Sequence, residues 1–247
     1  MSLPTRILVV ENDPVNTLGR LGPWLIGAGV SLEVVRPYSG EELPQSLAGY
    51  GGLLVIGRSP LPSASWFPAV KRLLRTARSA SLPALGISLG AQLIAEAFGG
   101  VVEPSTVGLD LGPGLVAKRD IGEKDPLFGL VPFLPDVLQW HSEVIAELPP
   151  DAVLLAASTR YRHQAFRLGE RMWALRFHIE PDLAMVTRWA EDDARTLAAL
   201  GIDGAELLDR TEAVLDDLEE VWRPFSERFA ALVKGTVGGM LLPVLEN

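Results

Sequence analysis

Ala84-Leu85-Gly86-Ile87-Ser88-Leu89-Gly90-Ala91-Gln92 is the stretch on which the reading of the fold turns. Its first four residues are small or apolar and fit a short buried strand. Residues from Ala91 to Phe98 fit a helix. Between them Ser88 is flanked by Gly86 and Gly90, the spacing of a nucleophile elbow, in which a serine sits on a tight strand-to-helix turn. The flanking glycines reduce crowding there.

The same alternation continues on either side. Ile7-Leu8-Val9-Val10 and Leu53-Leu54-Val55-Ile56 are apolar runs of the kind buried on both faces of a parallel sheet. Leu32–Val35 is a further strand candidate, and helices are predicted over Thr17–Ala28 and Trp66–Ala77. Strands alternating with helices predict a layered α/β fold with right-handed crossovers. After Gly100 the rhythm changes. Val107–Ala117 is read as strands that leave the main sheet, followed by strands over Val137–His141, Ala152–Ala157, Gln164–Leu168 and Met172–Phe177. One helix is predicted over Met185–Leu200 and another over Ala205–Val221, the latter with Leu208, Thr211, Leu215, Leu218 and Trp222 on one face. The expected organisation is a main domain over 1–184 and a helical extension over 185–247 packed on it.

Composition narrows the function. The 247-residue chain is long enough for a sizeable core, and its net charge of −9 disfavours nucleic-acid binding. The absence of cysteine excludes disulfides, a thiolate nucleophile and thiolate metal sites, and suits a cytoplasmic location. No apolar run is long enough to span a membrane. The apolar tail Val237–Leu245 is expected to pack on the body or on another subunit, as in a homo-oligomer. Three dispersed histidines lack metal-ligand spacing, so neither metal nor cofactor is expected.

A serine hydroxyl needs a base to take its proton and donors to hold the developing oxyanion. The Leu89 amide and the Gly57-Arg58-Ser59 loop are the candidate donors. The base must be His141, His163 or His178. His178 is followed two residues later by Glu180, and in an extended backbone residues two apart project to the same side. Ser88, His178 and Glu180 are therefore the candidate triad. Their order differs from the nucleophile–acid–histidine order of α/β-hydrolases. His141 is read as a hydrogen-bonding or pocket residue, and His163 as exposed.

Taken together, Leu54-Val55-Ile56-Gly57, Gly86 to Ala95, Gln139-Trp140-His141 and Arg176-Phe177-His178-Ile179-Glu180 resemble the class I glutamine amidotransferases. They are most similar to the small stand-alone proteins related to the amidotransferase half of GMP synthetase. The likeness covers roughly Arg6 to Asp182. It implies a flavodoxin-like, doubly wound, mostly parallel sheet with flanking helices, and a Cys-His-Glu triad. In that family the cysteine attacks the side-chain amide of glutamine, releases ammonia, and leaves a glutamyl thioester for water to resolve.

The resemblance puts the family's nucleophile at Ser88, its histidine at His178 and its acid at Glu180. It puts the oxyanion donors at Leu89 and the Gly57-Arg58 loop, and substrate contacts at Gln92, His141 and Ser142. Glutamine is the implied ligand, and a synthase partner would accept the ammonia. Three positions depart from the pattern: Ser88 stands for cysteine, Arg58 for a second glycine, and Ile179 for proline. Three activities fit a serine at this place: an amidotransferase with an impaired nucleophile, a serine hydrolase or peptidase, and a noncatalytic protein that binds glutamine or a partner.

Overall fold

Side chains of β1 (Arg6–Glu11) alternate between two cores, and this alternation organises the molecule. Ile7 and Val9 enter one core, while Leu8 and Val10 enter the other. β3 (Gly52–Ile56), β4 (Ala84–Ile87) and β12 (Met172–Leu175) repeat the pattern, for example with Leu54 and Trp173 on the first side and Leu53 and Met172 on the second. Such strands must be covered on both faces, which is why their sequences are apolar throughout. The structure, a computed structural model, describes residues 5–58 and 64–235. Ser59 of the predicted oxyanion loop and the tail Val237–Leu245 lie outside the described residues.

With β2 (Ser31–Val35), β7 (Ala117–Lys118), β10 (Ala152–Ala157) and β11 (Ala165–Leu168), these strands form one eight-stranded sheet in the order β2-β1-β3-β4-β12-β11-β10-β7. The pairings from β2 to β12 are parallel, and those from β12 outward to β7 are antiparallel. The result is a flavodoxin-like α/β fold with a mixed, mostly parallel central sheet. Helices α2 (Phe67–Ser79) and α3 (Leu89–Ala97) cover one face. Helix α1 (Leu21–Gly27) lies on the other.

The region after Gly100 departs from the predicted strands in detail. β6 (Asp110–Leu115) does leave the main sheet, and it pairs with β8 (Asp136–His141). β5 (Val101–Pro104) pairs with β9 (Glu143–Glu147), a ribbon the sequence does not announce because its residues mix charge with apolar character.

The two long C-terminal helices are four. The predicted 185–200 helix breaks at Asp193 into α4 (Leu183–Asp192) and α5 (Ala194–Ala199). The predicted 205–221 helix breaks at Ala213-Val214 into α6 (Gly204–Glu212) and α7 (Leu215–Val233). Trp189, Trp222, Phe225 and Phe229 from these helices are buried in the same core as Ile7 and Trp173. Among the described residues no helix is long and apolar enough to cross a membrane.

Candidate active site

Ser88 follows β4 directly and opens α3, with φ 52° and ψ −105°. Such a backbone is unfavourable for a residue with a Cβ and persists only where its surroundings enforce it. Here the enforcement is visible. The Ser88 amide donates to the Leu175 carbonyl at 2.8 Å. A Cβ on Gly86 would come within 2.6 Å of Gly90 backbone atoms, and one on Gly90 within 1.9 Å of the Val55 carbonyl oxygen. The two glycines of the motif thus let the turn close on itself and let α3 press onto β3.

β12 runs parallel to β4 and delivers the histidine. The His178 backbone pairs with Leu138 in both directions, at 2.8 and 3.1 Å, which pins the segment after β12 against β8. His178 Nδ1 lies 2.7 Å from Glu180 Oε1, and both side chains are fully buried. Asn16 Nδ2 donates to the same carboxylate oxygen at 2.8 Å, and the Ile179 amide donates to Oε2 at 2.9 Å. Burial opposes ionisation of Glu180, but the charge of His178 and these donors outweigh it and hold the carboxyl below its usual range. With Nδ1 committed to Glu180, Nε2 is left to act on a substrate or nucleophile. Among the described residues Nε2 has no hydrogen-bond partner. The His178 ring lies 4.7 Å from that of Trp189 on α4.

Ser88 Oγ is met from another direction. Arg176 Nη1 donates to it at 3.1 Å, and Arg176 Nη2 donates to the Glu143 carbonyl at 3.0 Å. The guanidinium is almost entirely inside the protein, and burial lowers its pKa to about 10.

The oxyanion side differs from the sequence expectation in one respect. The Leu89 amide donates to the Gly57 carbonyl at 3.1 Å, so in this conformation the expected donor is occupied by a protein oxygen. Arg58, next in the loop, reaches α4 and α5. Its guanidinium lies 2.9 Å from Asp193 and 3.4 Å from Asp192. Asp193 also accepts from Trp140 Nε1 at 2.8 Å. These two contacts hold Asp193 where the predicted single helix breaks.

Gln92, one turn along α3, donates to Glu143 Oε2 at 2.9 Å. His141 is buried, bonds Gln139 through Nε2 at 2.9 Å, and packs edge-on against Tyr161. Burial, then the charge of Arg176, keeps its pKa well below the ordinary histidine value. Ser142 lies beside it in the turn between β8 and β9 and accepts from the Ser105 amide through its carbonyl. His163 is half-buried rather than exposed, its Nδ1 2.7 Å from the Ile145 carbonyl oxygen.

Residues 24–185 match the family model described as glutamine amidotransferase class-I. The chain belongs to the class-I glutamine amidotransferase family. It is 27% identical over 182 residues to the glutamine amidotransferase-like protein YfeJ of Salmonella typhimurium, covering 71% of this chain and 75% of that one. It is 32% identical over 147 residues to a glutamine-hydrolyzing GMP synthase of Christiangramia forsetii, where the match covers 59% of this chain but only 27% of that enzyme. A glutamine amidotransferase structure from Thermotoga maritima superposes with a TM-score of 0.80 over 92% of this chain and 98% of that one, at 24% identity, which establishes the likeness of fold. This family member has no cysteine anywhere in its sequence.

The side chains that the sequence did not assign to the site are Asn16, Asp193 and Arg176. The first two are far away in the chain from their partners. Arg176 opens the Arg176-Phe177-His178-Ile179-Glu180 motif, but nothing local marks it as a neighbour of Ser88.

Proposed function

We propose that this chain binds glutamine, or another γ-glutamyl amide, at Ser88, and that Ser88, His178 and Glu180 form a triad of amidotransferase type working with an impaired nucleophile. The observation that carries this reading is the buried His178–Glu180 pair, fixed by Asn16 and left open at Nε2, on the segment that follows β12, the strand beside the one that ends at the strained Ser88 turn. Ser88 Oγ attacks the amide carbonyl and His178 Nε2 accepts its proton. His178 then protonates the leaving ammonia, and water resolves the glutamyl ester. Gln92, His141 and Ser142 are the substrate-side residues, and Leu89 with the Gly57-Arg58 loop supplies the oxyanion donors once the Gly57 carbonyl moves off the Leu89 amide.

A serine lacks the accessible thiolate of cysteine, so a site tuned for sulfur turns over slowly with oxygen. The reading extends to the stand-alone subgroup related to GMP synthetase, to a cytoplasmic location, and to ammonia transfer to a separate synthase. It also takes 1–184 as the amidotransferase-type domain and 185–247 as its extension.

The test is Ser88→Cys. Ammonia release from glutamine should appear, and the added substitution His178→Ala should reduce it by about 10²-fold or more. Release from Ser88→Cys no greater than from its His178→Ala derivative would overturn the reading.

One observation favours a second activity, serine hydrolysis. The Arg176 cation bonded to Ser88 Oγ favours the alkoxide over the neutral hydroxyl. A serine-directed phosphonate followed by peptide mapping should then label Ser88 in the unaltered protein, and failure to label it would remove this activity.

A further inference from the structure

A single hydrogen bond fixes one atom of an imidazole but not its plane, because the torsion that turns a histidine ring is broad. Glu180 holds His178 at Nδ1. The plane needs a second constraint, and the C-terminal helices supply one. The Trp189 ring lies 4.7 Å from the His178 ring, tilted by 56°, and both side chains are fully buried.

Trp189 is itself held on two sides. Its Nε1 donates to the Val15 carbonyl at 3.1 Å, and its ring packs 5.4 Å from that of Trp140. Val15 precedes Asn16, the donor that meets Glu180 at 2.8 Å. Met185, one turn before Trp189 on the same face of α4, meets Asn16 through its sulfur at 3.9 Å. Asp182, two residues after Glu180, accepts from the Met185 amide at 2.8 Å and caps the helix. These contacts form a closed circuit. It runs from Glu180 through the cap to α4, from α4 through Met185 and Trp189 to Val15-Asn16, and from Asn16 back to Glu180. His178 is bonded to one member of the circuit and packed against another. The match to the family model ends at residue 185, before Trp189, so the family likeness gives this side chain no role.

We propose, on the reading of Ser88, His178 and Glu180 as a triad, that Trp189 is a positioning residue for His178, so that the C-terminal extension completes the site as well as covering the core. The indole holds the imidazole plane while Glu180 holds Nδ1, and it keeps water from the bond between them. When Nε2 takes a proton, the new cation lies beside an indole ring within the range where cations and aromatic rings attract. That attraction exists after proton transfer and not in the neutral ground state, so its loss should lower kcat and leave KM.

Exchange with water of the proton in the His178–Glu180 bond tests the proposal in protein labelled with 15N-histidine, where His178→Ala identifies the signal. Trp189→Leu should speed that exchange about tenfold or more, and Trp189→Phe, which keeps an aromatic ring, should retain most of the protection. The Trp173 indole proton, bonded to Asp125 in the same core, is the control and should not change. In the Ser88→Cys background, Trp189→Leu should lower kcat for ammonia release about tenfold with KM little changed. Asp182→Ala, an exposed change that loosens only the cap of α4, should speed the exchange in the same direction, and it decides the matter if Trp189→Leu does not fold. Unchanged exchange in these folded variants, Trp189→Phe no better than Trp189→Leu, or acceleration at Trp173 equal to that at His178 would overturn the proposal. If Ser88→Cys releases no ammonia, the triad reading fails on its own test, while exchange at His178 still decides whether Trp189 positions the ring.

Discussion

The two flanks of Ser88 are built to different standards. On the β12 flank, His178 and Glu180 are fully buried, their backbone is pinned to Leu138, and each carboxylate oxygen has a donor. On the β3 flank, the Leu89 amide is spent on the Gly57 carbonyl, and the loop beyond is tied by Arg58 to acidic residues of the C-terminal helices. The first flank holds a histidine with one ring nitrogen committed to Glu180 and the other open among the described residues. The second is organised, in this conformation, to close on itself. Fixing the His178–Glu180 pair and freeing the Leu89 amide are therefore separable properties of the fold. The first rests on buried side-chain bonds, the second on the position of one peptide carbonyl.

The contrast can be broken most severely at Glu180. Glu180→Ala leaves Asn16 and His178 without their acceptor inside the protein, and a loss of about 3–5 kcal/mol in urea unfolding is expected, in the range measured when one partner of a buried pair is removed. Gly90→Ala acts on the other flank. Its new Cβ would sit 1.9 Å from the Val55 carbonyl oxygen, so α3 must lift from β3. A destabilisation of about 1–3 kcal/mol should accompany it. Amide exchange at Leu89 should also accelerate more than at Ile87, because the bond to Gly57 is the one that stretches.

Acid should distinguish the two carboxyl- and imidazole-bearing parts of the site. Glu180 has a folded-state pKa below its ordinary 4.5, so its contribution is complete above about pH 4.5 and is lost as pH falls through the lower folded value. His141 has a folded-state pKa well below 6.5, so the unfolded chain takes up the proton first, and stability falls as pH drops below about 6.5. Urea midpoints should decline in two stages on acidification. His141→Asn should remove the earlier stage and leave the later one.

The smallest effect is expected at Arg58. Arg58→Gly removes two partly exposed ion pairs and should cost no more than about 1 kcal/mol. Combined with Ser88→Cys it should raise ammonia release, since the loop carrying Gly57 is no longer tied to Asp193. No increase would mean that the tether does not hold the carbonyl over the Leu89 amide.

Much of this molecule was legible because the relevant physics is local. Ile7–Val10, Leu53–Ile56 and Ala84–Ile87 announce buried parallel strands, and the glycines at 86 and 90 announce a turn that only small residues can make. The His178–Glu180 pair was readable from a spacing of two. Breaks in the helical region were not legible, since the apolar periodicity runs on through Ala213-Val214, and Asp193 interrupts its helix where it holds Arg58 and Trp140. The β5–β9 ribbon was missed because its exposed faces carry no clear alternation.

By itself the sequence determined the alternating strands and helices, the elbow at Ser88, the absence of any thiol, and the pairing of a histidine with a nearby acid, all of which depend on residues close in the chain. Only the tertiary structure decided that Asn16 reaches Glu180 across 164 positions, that Arg176 reaches Ser88 across 88, and that a carbonyl of the β3 loop occupies the Leu89 amide. Those contacts depend on which strands lie side by side, and β4 next to β12 is a neighbourhood made by packing, not by sequence order.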